Sequence, residues 1–289
     1  MTKRATFRRA ILPVAATLAS LPAQGRLAAQ VPASDIEGRE IVLVTGSTSG
    51  LGRELALRLG ESGAHVIVHG RNEERGQEVV SEIEGRGGTA RFIRADLASL
   101  DEVRQLAATV KRDYDRLDLL VNNAGIGRGP EGATREESAD GYELRFAVNY
   151  LSHFLLTQEL LPLLEAAAPS RIVNVTSVAQ EAIDFDDVML ERAEYQGARA
   201  YAQSKLAQIM FTFTMAERLE GTGVTINAVH PAIYMDTPMV RNRGGTPMTT
   251  VDEGADPVMH VITAPDAGTG LYYRQDTPAR AHEQAYDEE

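Results

Sequence analysis

From Ile36 onward, short β-branched and apolar runs alternate with longer stretches whose apolar positions recur at helical spacing. Residues 41–44, 65–69, 91–94, 117–121, 171–175 and 225–229 read as strands, and a last short strand is expected near 271–273. Between them, helical periodicity fits 52–62, 73–85, 100–113, 141–167 and 200–220, with Gly63, Gly85 and Gly221 where helix C-caps are expected. Repeated strand–helix–strand units imply a parallel sheet with right-handed crossovers. The predicted architecture is therefore α/β: a single Rossmann-type doubly wound parallel sheet of about seven strands with helices on both faces. It occupies residues 34–289 as one domain, with any ligand at the carboxyl ends of the strands. Two stretches lack periodicity: 183–197 is an acidic insert, and 231–250, with several Pro, Gly and Met, is a long loop. The loop is either disordered or, as we expect, a lid beside the site.

The 289-residue length suits one such domain and is ample for a core. The chain has no Cys, which excludes disulfides, thiolate metal sites and a cysteine nucleophile. Its six histidines (His65, His69, His153, His230, His260 and His282) lack metal-ligand spacing, so no metal is expected. The net charge of −12 is uneven. Residues 1–30 carry Lys3, Arg4, Arg8, Arg9 and Arg26 and no acid, which leaves −17 on the remainder. A body that acidic repels nucleic acid and anionic membrane surfaces, so a bound phosphate must be held by local features.

Residues 1–33 read as a signal or targeting leader. A basic start ends in Arg8-Arg9, and the apolar run 10–21 is too short for a transmembrane segment. Small residues at 23–25 and 31–33 fit cleavage sites, and the run 6–12 resembles a twin-arginine export signal, with Phe7 before the pair. Such a route would export a folded, cofactor-loaded protein. The alternatives are an unused upstream extension in a cytoplasmic protein and an organellar transit peptide.

The first strand runs directly into Thr45-Gly46-Ser47-Thr48-Ser49-Gly50-Leu51-Gly52 and then a helix. Glycines there let the backbone turn sharply and approach a pyrophosphate, and the helix N-terminus offers unpaired N–H groups to the anion. The second strand ends in His69-Gly70-Arg71-Asn72. An NAD site would place an acid there for the ribose hydroxyl; Arg71 instead can pair with a 2′-phosphate, so NADP(H) is expected ahead of NAD(H). The bland reading of Arg71 is a solvated residue at a helix start. Asp96, after the third strand, suits an adenine-edge contact or a helix cap.

Only three lysines occur in the chain, and Lys205 stands four residues after Tyr201. A phenol titrates near ~10, and a cation on the same helix face favours its phenolate, so Lys205 is expected to lower the Tyr201 pKa and to reach the nicotinamide ribose. Ser177, at the end of the fifth strand, can hydrogen-bond a carbonyl oxygen where negative charge develops. Asn149 is an unusual residue inside an apolar helix: it either bridges backbone and Lys205 through water or is a satisfied buried amide.

These residues resemble those of the short-chain dehydrogenase/reductases over residues 38–289. The narrower likeness, carried by 183–187, 201–206 and 270–273, is to the NADP-preferring, retinol dehydrogenase-like branch. The resemblance implies a catalytic set of Asn149, Ser177, Tyr201 and Lys205 and a sheet-stabilising turn at 122–125. It implies cofactor contacts at Gly46, Ser47, Ser49, Gly50, Leu51, Gly52, Arg71, Asp96, Leu97, Asn123, Ala124, Gly125, Tyr201, Lys205, Pro231 and Thr237. The implied activity is hydride transfer between the nicotinamide and an alcohol or carbonyl substrate, lipophilic by analogy, with Tyr201 as general acid/base. A homo-oligomer paired through two long helices is a further expectation. The sequence departs from the family pattern at Ala232, where Gly is usual, and at Thr237, which lies one residue late. The chain also stops at Glu289, where relatives often continue, which implies a more open pocket. The rival readings are a catalytically silent dinucleotide-binding sensor or scaffold, and a protochlorophyllide reductase-like enzyme, against which the lack of cysteine counts.

Overall fold

The computed structural model describes residues 36–287 apart from 193. The leader expected at 1–33, with its arginine pair and cleavage positions, lies outside the described residues. Eight strands form one sheet: β1 (Ile41–Val44), β2 (His65–Gly70), β3 (Thr89–Arg94), β4 (Leu119–Asn122), β5 (Ser170–Val175), β6 (Val224–His230), β7 (Leu271–Arg274) and β8 (Thr277–Pro278). Their order is β3-β2-β1-β4-β5-β6-β7-β8. The first seven are parallel, and β8 adds a short antiparallel edge beyond the seven strands expected. The strand order reverses beside β1, so a crevice opens between the ends of β1 and β4.

Successive strand side chains point to opposite faces, and the two cores follow that alternation. Val42, Val44, Val66 and Val68 pack beneath α1 (Gly50–Glu61), α2 (Glu73–Gly85) and α8 (Val251–Thr263), against Leu55, Ile83 and Val258. Ile41, Leu43 and Ile67 face α3 (Leu100–Asp113), α5 (Ser152–Ala166) and α6 (Gly197–Arg218), against Leu106, Leu156 and Phe211. Both faces are apolar because both are covered, as parallel sheets require.

Several elements differ from the sequence expectation. The helix expected over 141–167 starts later and is interrupted. Gly141 sits in a turn at φ +83°, a single turn α4 (Leu144–Phe146) follows, and a π-helical segment (Ala147–Leu151) leads into α5. The tyrosine helix α6 begins at Gly197, three residues early. Helix α8 was not expected at all. It is opened by a capping box in which Thr250 Oγ1 accepts the Glu253 N–H while the Glu253 carboxylate accepts the Thr250 N–H. The 231–250 segment contains a short helix, α7 (Pro238–Arg241). Gly85 is the last residue of α2, and the left-handed turn falls on Gly87 at φ +85°.

Candidate active site

The glycine turn sits at the carboxyl end of β1 and is braced by its neighbours. Gly46 has φ +65°, and a Cβ there would lie 2.8 Å from the Ala124 Cα. At Gly52 an added Cβ would meet the Asn123 amide nitrogen at 2.3 Å. Asn123 donates from that amide to the Thr45 carbonyl at 2.8 Å and from its backbone to Thr45 Oγ1 at 2.9 Å. The turn opens α1, whose first helical bond runs from Arg53 N to Ser49 O. The N–H groups of Gly50, Leu51 and Gly52 precede it, and Ser49 makes no capping bond with its side chain. These donors together with the positive end of the helix dipole fit a pyrophosphate.

Not every residue expected in the cradle has a group to offer. Ser47 is fully buried: its hydroxyl donates to the Val44 carbonyl (2.7 Å) and accepts the His69 N–H (2.9 Å). Its own N–H is taken by the His69 carbonyl at 2.9 Å. Ser47 therefore clamps β1 to β2 instead of facing a ligand. Gly46 N–H is likewise taken, by His69 Nδ1 at 3.1 Å. The Leu97 side chain is buried in the core under α3. Arg71 remains largely exposed at the end of β2, 3.7 Å from the Asp96 carboxylate. Asp96 also accepts the Ala98 N–H at 3.0 Å, while the α3 cap is Ser99.

Asn149, Ser177, Tyr201 and Lys205 come together at the carboxyl ends of β4 to β6. The π-helical turn carries Asn149 inward, where its Oδ1 accepts the Ile126 N–H at 2.8 Å. Its Nδ2 donates to the Ile126 carbonyl (3.1 Å) and to Ser204 Oγ (2.9 Å). A Cβ on Gly125 would lie 3.2 Å from Asn149 Oδ1 and 3.7 Å from Lys205 Nζ, so this glycine leaves the two groups facing one space. Lys205 Nζ donates to the Val175 carbonyl (3.0 Å) and to Gln208 Oε1 (2.8 Å). It lies 5.9 Å from the centroid of the Tyr201 ring.

The expected lowering of the Tyr201 pKa by Lys205 is not what the site produces. Burial pushes the phenol up, and the opposing pulls come from a hydrogen bond with Ser177 and from the charges of Arg128 and Arg243. The reason is direction: Lys205 turns inward to Val175 and Gln208, and burial holds it down to about 7.

Thr237 stands at the start of α7, and a Cβ on Gly50 would lie 3.1 Å from its methyl group. The one-residue shift therefore still brings Thr237 against the glycine turn. Pro231 and Ala232 are buried directly after β6. The segment is closed on itself by Asp236 N–H to Thr249 O (2.9 Å) and Met248 N–H to Tyr234 O (2.9 Å). A cavity of about 720 Å³ lies between this segment, the loop after β4 and the start of α6. Arg128, Tyr195, Ala198, Tyr234, Arg243 and Met248 line it, among others.

Supporting residues that sequence reasoning missed surround this site. Gln208 joins Lys205 to His153, whose Nδ1 is 3.0 Å away, and His153 Nε2 lies 3.4 Å from Thr45 Oγ1. The i+3 spacing of Lys205 and Gln208 was the available signal. Buried amides tie the layers beneath the site: Asn122 donates to Asn174 Oδ1 (2.8 Å), and Asn174 donates to Thr212 (2.8 Å). Tyr272 on β7 and Gln180 both donate to the Ser177 carbonyl, at 3.2 and 3.0 Å. The acidic insert is pinned from the C-terminal side, where the Gln284 amide exchanges two hydrogen bonds with the backbone of Ile183. Among the described residues, no group of His, Asp or Glu is arranged to hold a metal, and no helix is long and apolar enough to cross a membrane.

Comparison with known proteins agrees with this geometry. The family model described as short chain dehydrogenase matches residues 40–247. The mouse protein named retinol dehydrogenase 13 is 44% identical over 196 residues, which cover 66% of this chain and 58% of that protein. Human retinol dehydrogenase 14 is 43% identical over 209 residues, covering 66% and 61%. The matched part thus spans about three fifths of the length of these relatives. Among solved structures, the Pseudomonas aeruginosa RhlG/NADP active-site complex aligns with a TM-score of 0.66 at 30% identity, covering 84% of this chain and 96% of that one. An uncharacterized protein from Mycobacterium paratuberculosis aligns with a TM-score of 0.71 at 28% identity, covering 86% and 88%.

Proposed function

The chain belongs to the short-chain dehydrogenases, and on that premise we propose that it is an NADP(H)-dependent oxidoreductase interconverting an alcohol and its carbonyl. The observation that carries this reading is the convergence of Ser177, Tyr201, Lys205 and Asn149 beside a glycine turn with free helix-start donors. The donors of Gly50, Leu51 and Gly52 would hold the pyrophosphate, Arg71 the 2′-phosphate, and Thr237 and Lys205 the nicotinamide end. Bound there, a nicotinamide supplies the hydride for reduction and accepts it in the reverse direction.

In reduction, Ser177 Oγ donates a hydrogen bond to the carbonyl oxygen and holds it next to Tyr201. The buried phenol stays protonated at neutral pH and gives its proton to that oxygen as negative charge builds there. Lys205, buried and held by Val175 and Gln208, places a titratable ammonium 5.9 Å from the centre of the phenol ring, and Asn149 with Ser204 holds the π-helical turn that keeps this corner in place. Tyr201→Phe removes the proton donor and leaves the cradle intact. NADPH binding is expected to persist within about threefold while turnover falls by about 10² or more. Steady-state reduction of a carbonyl panel, together with nicotinamide fluorescence titration, checks this. Turnover retained in the variant would sink the assignment of Tyr201.

A further inference from the structure

The cavity at the start of α6 is lined by two arginines and two glutamates, charges that the reaction itself does not require. Arg128, on the loop after β4, and Arg243, just after α7, both line it, and both charges act on the Tyr201 phenol. Among the described residues neither forms an ion pair, although Glu131 and Glu194 line the same cavity. By contrast, the nearby Arg145 is buried and neutralised: it pairs with Glu143 at 3.5 Å and donates to Tyr195 at 2.7 Å. In a body with a net charge of −17 beyond residue 30, two arginines that form no ion pair with the glutamates of their own cavity are a local exception.

The pair is also built into place. Arg145 Nε holds the Gly127 carbonyl at 3.0 Å, and a Cβ on Gly197 would lie 2.1 Å from the Arg128 carbonyl oxygen, so the Arg128 backbone is seated on the start of α6. The Arg243 guanidinium stacks over the Tyr234 ring, 4.7 Å from its centroid. Arg128 and Arg243 both interact with the Tyr234 hydroxyl and favour its ionised form. Tyr234 itself has φ +48°, a left-handed backbone that costs a non-glycine residue energy. Strain of that kind persists where surrounding structure imposes it and concentrates at ligand clamps.

Resting on the oxidoreductase reading above, we propose that Arg128, Arg243 and the Tyr234 hydroxyl form an anion site, and that the substrate is a carbonyl or alcohol bearing a carboxylate or similar oxyanion. Two guanidinium groups and a phenol hydroxyl offer a fork of donors suited to such a group. The apolar part of the substrate lies along Tyr195 and Met248 in the same cavity. The resulting preference is for an amphiphilic anion over a neutral lipophile.

The test has two arms on the full chain. In the binding arm, octanoate and octanamide are titrated calorimetrically into the wild type, Arg128→Gln and Arg243→Gln, each checked for an unchanged melting profile. Octanoate is expected to bind at least tenfold more tightly than octanamide, and each substitution is expected to weaken octanoate about tenfold or more. It is also expected to weaken octanoate more than NADPH. In the catalytic arm, levulinate and its methyl ester are compared as substrates with NADPH. Each substitution is expected to lower kcat/KM for the acid at least tenfold more than for the ester, mainly through KM. Equal binding of octanoate and octanamide, or equal losses for NADPH and octanoate in the variants, would overturn the anion site even if carbonyls are reduced. Octanoate binding that needs both arginines, with no carbonyl reduced, would uphold the anion site and remove the oxidoreductase reading instead.

Discussion

The Ser47 hydroxyl and N–H, which by their position in the glycine turn read as phosphate ligands, are both spent holding β1 to β2. The four residues proposed for catalysis were legible because they are chemically distinctive types at characteristic places: a rare lysine one turn from a tyrosine, a serine ending a strand, an asparagine inside an apolar helix. Their hydrogen bonds were not legible, since the direction of Lys205 is set by where Val175 and Gln208 lie in space. The role expected of Arg71 can be tested alone: it is largely exposed, 3.7 Å from the Asp96 carboxylate. A charge-assisted contact to phosphate is worth about 1.5–3 kcal/mol. Arg71→Asp should therefore weaken NADPH by about tenfold or more while NADH binding holds or improves, which paired fluorescence titrations would measure. An equal loss for both dinucleotides would mean that Arg71 does not read the 2′-phosphate.

Element boundaries moved where side chains compete with the periodic pattern. The pattern over 141–167 is continuous, but Asn149 satisfies the Ile126 backbone and Ser204, and the helix widens into a π turn to let it do so. Gly254 and Pro257 weaken the intrinsic helical propensity of α8, so the helix is faint in the sequence, and the Thr250–Glu253 spacing of a capping box is the local signal that marks its start. Gly76 in α2 shows packing overriding propensity in the opposite sense. A Cβ at that position would fall 2.3 Å from the buried Phe92 ring. Gly→Ala within a helix normally stabilises by about 1 kcal/mol. Here Gly76→Ala is expected to destabilise by about 1–3 kcal/mol through overpacking. Urea unfolding reads the difference directly, and a stabilised variant would mean that α2 can lift away from β3 at little cost.

Across the whole molecule, four buried histidines couple folding to pH. Burial is the main cause in each: it holds His65, His69 and His230 down to about 4 and His153 to about 3. Their unfolded values lie near ~6.5, so on acidification the unfolded chain binds protons before the folded one does. Their contribution to stability is complete above about pH 6.5 and is lost as pH falls through the window down to about 4. The melting temperature should drop steadily across that window, each group adding at most about 1.4 kcal/mol per pH unit. His65 bridges Thr89 at 3.1 Å and Tyr114 at 2.9 Å, away from the site. His65→Gln should make the acid slope shallower, and an unchanged slope would remove His65 from the set. At this scale the amino-acid sequence alone determined the α/β class, the parallel sheet, the glycine turn and the four residues that stand out as candidates for the chemistry. Those follow from periodicity and from residue types whose chemistry or conformational freedom is local. Tertiary structure alone decided that Ser47 is a clamp, that Lys205 points inward and that Arg128 and Arg243, 115 positions apart, share one cavity. Each of those depends on which groups desolvation forces together, and no spacing along the chain encodes that.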